Sequence, residues 1–225
     1  MAISYSPKIV TDGLRFAIDA ANPKCYPGSG TTAFDLSGNG YNATLHGDTT
    51  ATGGWFDLTS AAATTDYITT DKNALNGLTS WTFELWLYIH ATNAIDTFLT
   101  CGAGNDFLWF FNGRTSVDFQ NTAATTTTYN TSLTTPFLFT ATGTGGTVSL
   151  YKDGTYVGAM SNTTSITVNS TLGIVLGQEM DSNSGGFDAA QKFRGKYGPI
   201  RFYNRVLSAD EVMSNYNANK SRFGL

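Results

Sequence analysis

The stretch Gly177 to Gln191, GQEMDSNSGGFDAAQ, gathers Glu179, Asp181, Asp188 and Gln191 around a Ser/Asn/Gly loop, in a chain of which only 13% of the residues are charged. Residues two apart on an extended chain project to the same side, so Glu179 and Asp181 share a face. The Gly185-Gly186 pair lets the backbone turn and return Asp188 and Gln191 towards them. Three chemistries fit such a set. Calcium takes about six to eight oxygen ligands from carboxylates, amides and carbonyls on a loop that can bend around the ion. A retaining glycosidase needs two carboxyl groups about 5 to 5.5 Å apart, one as nucleophile and one as acid/base. The third reading is a solvated turn whose acids serve solubility.

Other reactive residue types are sparse. The two histidines, His46 and His90, are far apart in sequence and give zinc little support. Cys25 and Cys101 sit in unlike contexts and are read as two unpaired thiols. Asp35, Ser37 and Asn39 in DLSGNG resemble a second cation loop in composition, but Asx and Gly residues form such turns unaided. Among the aromatics, Trp81 falls on the apolar face of its strand. Trp86 and Trp109, with Tyr88 on the same face as Trp86, are the candidates for a ligand or partner surface.

The elements that must position these groups read as strands. Abundant Thr, Gly, Asn, Phe and Tyr suits pleated strands and tight turns, and the 225 residues fit one all-β domain over 1–225. In WTFELWLYIH, Trp81, Phe83, Leu85, Leu87 and Ile89 alternate with Thr82, Glu84, Trp86, Tyr88 and His90, which predicts a strand with one face in the core. Further strands are expected at 14–20, 97–101, 107–111, 136–142, 147–152, 156–160, 172–177 and 196–203. Asp153-Gly154 supplies a hairpin turn. Ser208-Ala-Asp-Glu211 is a capping box that opens a short helix ending near Asn219. The Thr-rich segment 122–135 is expected to be a loop or edge strand.

A net charge of −4 leaves no basic face for a phosphate backbone, which argues against a nucleic-acid partner. The longest apolar runs, such as FLWFF at 107–111, fall far short of the roughly 20 residues of a membrane helix, so no membrane insertion is expected. The start, MAISYSPKIVTDGL, shows no cationic segment followed by an apolar run, so no classical signal peptide is expected.

Nearly the whole chain resembles the laminin G-like and pentraxin group of concanavalin A-like jelly rolls. The resemblance rests on LRFAIDAANPKCYPGSGTTAFDLSGNGYNATLHG near the start and GKYGPIRFYNRVLSADEV near the end. It implies a two-sheet antiparallel jelly-roll sandwich with one short C-terminal helix. The acidic stretch is similar to the pentraxin Gly-Gln-Glu-x-Asp-Ser motif, which binds a pair of calcium ions. That likeness implies calcium ligands at Glu179, the Met180 carbonyl, Asp181, Asp188 and Gln191, and an Asn105-Asp106 pair brought from an earlier hairpin in reversed order. The disulfide and the choline-contacting surface of pentraxins find no match here beyond an aromatic near Phe111. Retaining glucanases of the same architecture carry Glu-x-Asp-x-x-Glu or Glu-x-Asp-x-Glu, whereas Glu179-x-Asp181 is followed by Ser182, Asn183 and Ser184. The second glutamate is missing.

IDAANPKCYPGSGTT and NANKSRFGL also look like stand-alone laminin G-like domains of phage structural proteins. The implied function is a non-catalytic, calcium-stabilised binding or structural module on a virion surface, as capsid decoration or tail-fibre protein. Its expected partners are capsid or tail proteins, cell-surface glycans or further copies of itself. A glycan-active hydrolase and a purely structural capsid cement are the alternatives, and a cytoplasmic or non-classically exported protein is the alternative location.

Overall fold

The structure is a computed structural model that describes residues 8–60, 65–104, 106–121 and 123–225. In chain order the strands are β1 (Leu14–Ile18), β2 (Thr32–Ala33), β3 (Ala43–His46), β4 (Thr50–Thr52), β5 (Trp55–Asp57) and β6 (Tyr67–Thr70). The long β7 (Trp81–Ala91) follows, then β8 (Ile95–Leu99), β9 (Leu108–Asn112), β10 (Ser116–Asn121) and β11 (Ala123–Thr128). After β12 (Phe137–Thr144), β13 (Thr147–Lys152), β14 (Thr155–Ser161), β15 (Ile174–Leu176) and β16 (Arg194–Tyr203) comes helix α1 (Ala209–Asn219), extended by a 3-10 turn at Lys220–Phe223.

One layer is an eight-stranded sheet in the order β14-β13-β12-β7-β16-β5-β4, with β1 also paired to β16. The opposite layer is made of two four-stranded sheets, β11-β10-β9-β8 and β15-β6-β3-β2. Paired amides of Thr100 and Val175, 2.9 Å in both directions, join β15 to the segment just after β8, so the two small sheets run on into each other. The paired strands are antiparallel, and the architecture is the expected jelly-roll sandwich. Between the layers Trp81, Phe83, Phe98, Trp109, Phe119 and Phe139 form one aromatic cluster, with Trp109 stacked on Phe119 at 4.2 Å. Offset and edge-on ring pairs of this kind add to the burial of large apolar area.

Local chemistry explains most element ends. Asp153 and Gly154 take φ of 52° and 80° in the β13–β14 turn. Ser208 accepts from the Glu211 amide while the Glu211 carboxylate accepts from the Ser208 amide, closing the capping box. Residues 123–128 form the exposed edge strand β11. Asp35 accepts from the amides of Ala17, Ser37 and Tyr41, so DLSGNG ties its loop to β1 with its own hydrogen bonds. Cys25 and Cys101 are buried free thiols.

The second face of β7 departs from the expected pattern. Thr82, Glu84 and Trp86 are 0% exposed: the Thr82 hydroxyl bonds to the Arg205 carbonyl and the Leu207 amide, while α1 and the 3-10 turn cover Glu84 and Trp86. Trp86 stacks on Tyr216 at 5.8 Å and on Phe223 at 4.2 Å. Beside it Glu84 meets the Arg201 guanidinium at 3.4 Å and accepts from Asn215 Nδ2 at 2.9 Å. Burial nevertheless pushes the Glu84 carboxyl above its usual range, against the pull of Arg201 and Asn215. Replacing Trp86 by Ala should cost about 3–5 kcal/mol, the range for emptying a buried aromatic site. Equilibrium urea unfolding checks this, and a loss below about 1 kcal/mol would show that the helix does not hold Trp86 in the native state.

Candidate functional site

The acidic stretch is a closed loop resting on the junction of the two small sheets. The Phe193 amide donates to the Gly177 carbonyl at 3.0 Å and so fastens the two ends of the loop together. Gly177 adopts φ of 95°, and a Cβ there would lie 2.4 Å from Leu58 Cδ2, so only glycine admits the inward turn. Its neighbour Gln178 is fully buried and donates to the Asp66 carbonyl at 3.4 Å. On the return limb, Gln191 accepts from the Thr97 amide at 2.9 Å, and Lys192 donates to the Ser60 carbonyl at 2.6 Å.

The tip is ordered by its own backbone. Ser182 and Gly185 exchange amide hydrogen bonds of 2.9 and 3.0 Å around Asn183-Ser184. Gly186 has φ of 79°, and a Cβ on it would stand 3.1 Å from Asp181 Cβ. The Asn183 carbonyl accepts from Thr171 N at 2.7 Å, and its side-chain Oδ1 accepts from Ala103 N at 2.9 Å. Asp188 caps the following turn by accepting from the Ala190 amide at 2.8 Å, and Gln191 Nε2 reaches Asp188 Oδ2 at 3.5 Å.

Glu179 is the decisive residue. It is 8% exposed, and its Oε2 is buried without a hydrogen-bond partner. Burial first, then the nearby charges of Asp181 and Asp188, push its carboxyl up to about 7. The structure therefore brings Asp181 and Asp188 into electrostatic reach of Glu179. Met180 is buried with its sulfur 3.6 Å from Ser170 Oγ. Asp106 approaches the loop from the 102–106 turn: its Oδ2 and Asn183 Oδ1 both lie within 3.2 Å of the point a Cβ on Gly102 would occupy. Asp106 accepts from Asn169 Nδ2 at 2.7 Å. Asn105 lies outside the described residues. Phe107, directly after this pair, takes φ of 52°, a rare conformation for a bulky residue, and is held there by burial against Trp81 and Phe119.

An orphaned buried carboxylate oxygen with two further carboxylates beside it fits a hard cation with oxygen ligands. The cage is not drawn tight: among the described residues no three Asp, Glu, His or Cys side chains converge as a metal-binding group.

The expected ligand surface needs correction. Trp86 lies under the C-terminal helix, and Trp109 and Phe111 are 0% exposed between the layers, with Phe111 4.6 Å from Phe98. None of the three forms a surface. Only Tyr88 is half-buried, with Trp55 at 6.1 Å and Lys196 Nζ 5.9 Å from its ring.

The model of the Pentaxin family matches residues 58–223, which is most of the chain. The chain belongs to the Pentaxin family. Among its relatives are bovine (Bos taurus) serum amyloid P-component, 46% identical over 48 residues, and rat (Rattus norvegicus) C-reactive protein, 37% identical over 71 residues. These stretches cover 21% of this chain and of the former, and 32% of this chain against 31% of the latter, so the chain spans between a fifth and a third of the relatives it matches. Solved structures with the same fold include the binding domain of Paraclostridial Mosquitocidal Protein 1, with a TM-score of 0.67 and 14% identity over 92% of this chain and 52% of that one. The binding domain of botulinum neurotoxin DC in complex with SialylT aligns with a TM-score of 0.67 at 11% identity, again over 92% and 52%. A mutant Trypanosoma rangeli sialidase displaying trans-sialidase activity aligns with a TM-score of 0.65 at 14% identity, over 96% of this chain and 34% of that one. Likeness at this level of identity concerns the fold.

The raised Glu179 gives this pentaxin-family chain a signed pH dependence without metal. An acid held above its ordinary value binds more protons folded than unfolded, so the contribution of Glu179 to stability is greatest below about 4.5 and falls as pH rises to about 7. Asp96, also pushed to about 7 by burial, contributes in the same direction. The comparison that isolates the loop is therefore wild type against Glu179→Gln, both metal-stripped, by urea unfolding from pH 4.5 to 8. The variant should show the shallower decline, and equal slopes would contradict the assignment.

Proposed function

We propose that the chain is a non-catalytic binding module whose 177–191 loop is closed by calcium. The observation that carries this reading is the buried, unpartnered Glu179 Oε2 beside Asp181 and Asp188. Glu179, Asp181, Asp188 and Gln191, with the Met180 carbonyl, would hold the ion, and Asn105-Asp106 would approach from the neighbouring turn. Calcium would supply the positive charge that offsets the crowded carboxylates. The loop's own residues do the rest: Gly177 and Gly186 set the turns, and Asn183 fastens the tip to Thr171 and Ala103.

The ligand class is read as cell-surface glycans or neighbouring protein subunits. The family match and the binding-domain neighbours support a binding role, and one of those neighbours was solved with SialylT. On the sequence resemblance of IDAANPKCYPGSGTT and NANKSRFGL, we assign the chain to a phage virion surface, as capsid decoration or tail fibre. The hydrolase alternative has the sialidase neighbours in its favour. The second glutamate after Glu179-x-Asp181, which serves as acid/base in the glucanase scheme, is missing, and this counts against glucanase chemistry at this loop.

Thermal unfolding with excess calcium and with EGTA tests the reading. Binding to the native state alone should stabilise wild type by about 2.7 kcal/mol at a hundredfold excess over Kd, and Asp181→Asn should lose most of that gain. An unchanged wild-type melting temperature would refute calcium closure, and sugar release that Glu179→Gln abolishes would refute the non-catalytic assignment.

A further inference from the structure

The outer face of the β15-β6-β3-β2 sheet carries a second cleft. Antiparallel pairing sets Thr44 opposite Thr69 and His46 opposite Tyr67, and alternation along the strands turns these four away from the buried Ala43, Leu45 and Ile68. Over the threonines opens a cleft of about 440 Å³, walled by the 71–73 turn and by residues 170–173. That volume lies within the about 300–1,000 Å³ common for small-molecule sites.

The lining is unusual in its chemistry. Of the residues around the cleft, Thr44, Thr69, Thr70, Ser170 and Thr171 carry hydroxyls, and Asn42 and Asn73 carry amides. Its charged residues are one lysine, Lys72, and one acid, Asp71, which sum to zero. Thr69, Thr70 and Ser170 are buried, and the Thr69, Thr70 and Thr171 hydroxyls already meet His46 Nε2, the Tyr41 carbonyl and the Asn183 carbonyl, so the groups open to a ligand are chiefly the exposed Thr44, Asn42 and Asn73, which can donate and accept towards a polyol. The rim beside Thr69 is aromatic. His46 Nε2 lies 2.8 Å from Thr69 Oγ1, the His46 ring stacks on Tyr67 at 4.2 Å, and Phe187 packs on Tyr67 at 4.6 Å. All three rings are half-buried, each keeping part of its surface open. Neutral hydroxyl and amide groups in the cleft, with partly open aromatic rings next to it, suit the two sides of a sugar ring, its hydroxyl edge and its C–H face.

We propose that this cleft binds a neutral saccharide, of one or two rings, independently of calcium. The proposal shares with the proposed function only the class of ligand, and none of the groups assigned to the ion line the cleft. Phe187, one residue before Asp188, links the rim to the acidic loop, so the two sites are neighbours on one surface.

The test is shift mapping by NMR on the full-length chain, titrated with lactose, N-acetylglucosamine and methyl α-mannoside in calcium and in EGTA. At least one probe should shift Thr44, Tyr67 and Thr69 equally in both buffers. Tyr67→Ala and the exposed Thr44→Val should each weaken that probe at least tenfold, with the calcium-induced thermal shift intact as proof of folding. Glu179→Gln should leave sugar binding unchanged. Shifts confined to 177–191 and lost in EGTA would overturn the proposal, as would no binding of any probe, and either result would leave calcium closure standing. Binding in the cleft without any calcium-induced thermal shift would sink calcium closure alone.

Discussion

A carboxylate buried with an oxygen left unpaired is the constraint on which this surface depends. Glu179 sits 8% exposed, under the charge of two more acids, and among the described residues nothing donates to Oε2. Leaving a buried acceptor unsatisfied costs about 1–3 kcal/mol, and more when it is charged. A sandwich of this size keeps such a group only where another interaction offsets the cost, and on the proposed reading a divalent cation would do so for all three acids at once.

The rest of the architecture explains why the loop cannot relax away from this arrangement. Its ends are joined at Gly177 and Phe193, its return limb is hydrogen-bonded to β8 through Thr97, and its tip is fastened to Thr171 and Ala103. Beneath it, the Thr100–Val175 bridge makes one surface of the two small sheets. The adjoining turn is fixed by Phe107, whose left-handed backbone is held by the aromatic cluster between the layers. Packing in the core thus determines the approach of Asp106 to the loop. The hydroxyl-lined cleft uses the same sheet in a different way, presenting short polar side chains from strands whose other face is core.

How far this was legible in the sequence depends on how local the signal is. Alternation over WTFELWLYIH, the Asp153-Gly154 turn and the Ser208 capping box are decided within a few residues, and each appears in the structure where the pattern puts it. That Glu179, Asp181 and Asp188 share one short loop was readable for the same reason. The burial of Trp86, Trp109 and Phe111 was not, because period-two patterning tells which residues share a face and says nothing of what covers that face. Trp86 is covered by a helix that comes more than 120 residues later in the chain. Strands β2 to β6 escaped notice because two to four residues carry too little period, whereas Val117 and Phe119 in β10 did alternate with Asp118 and Gln120. The His46-Tyr67-Phe187 cluster joins three segments distant in sequence and left no linear motif.

The central claim, that the three acids are gathered to hold calcium, is tested most directly by a crystal structure grown in calcium chloride, with anomalous data collected at long wavelength. The account predicts an anomalous peak in the loop with Glu179 Oε2, Asp181 and Asp188 among its ligands. A loop free of any peak, with the Glu179 carboxyl protonated and donating to a neighbouring acid, would contradict it.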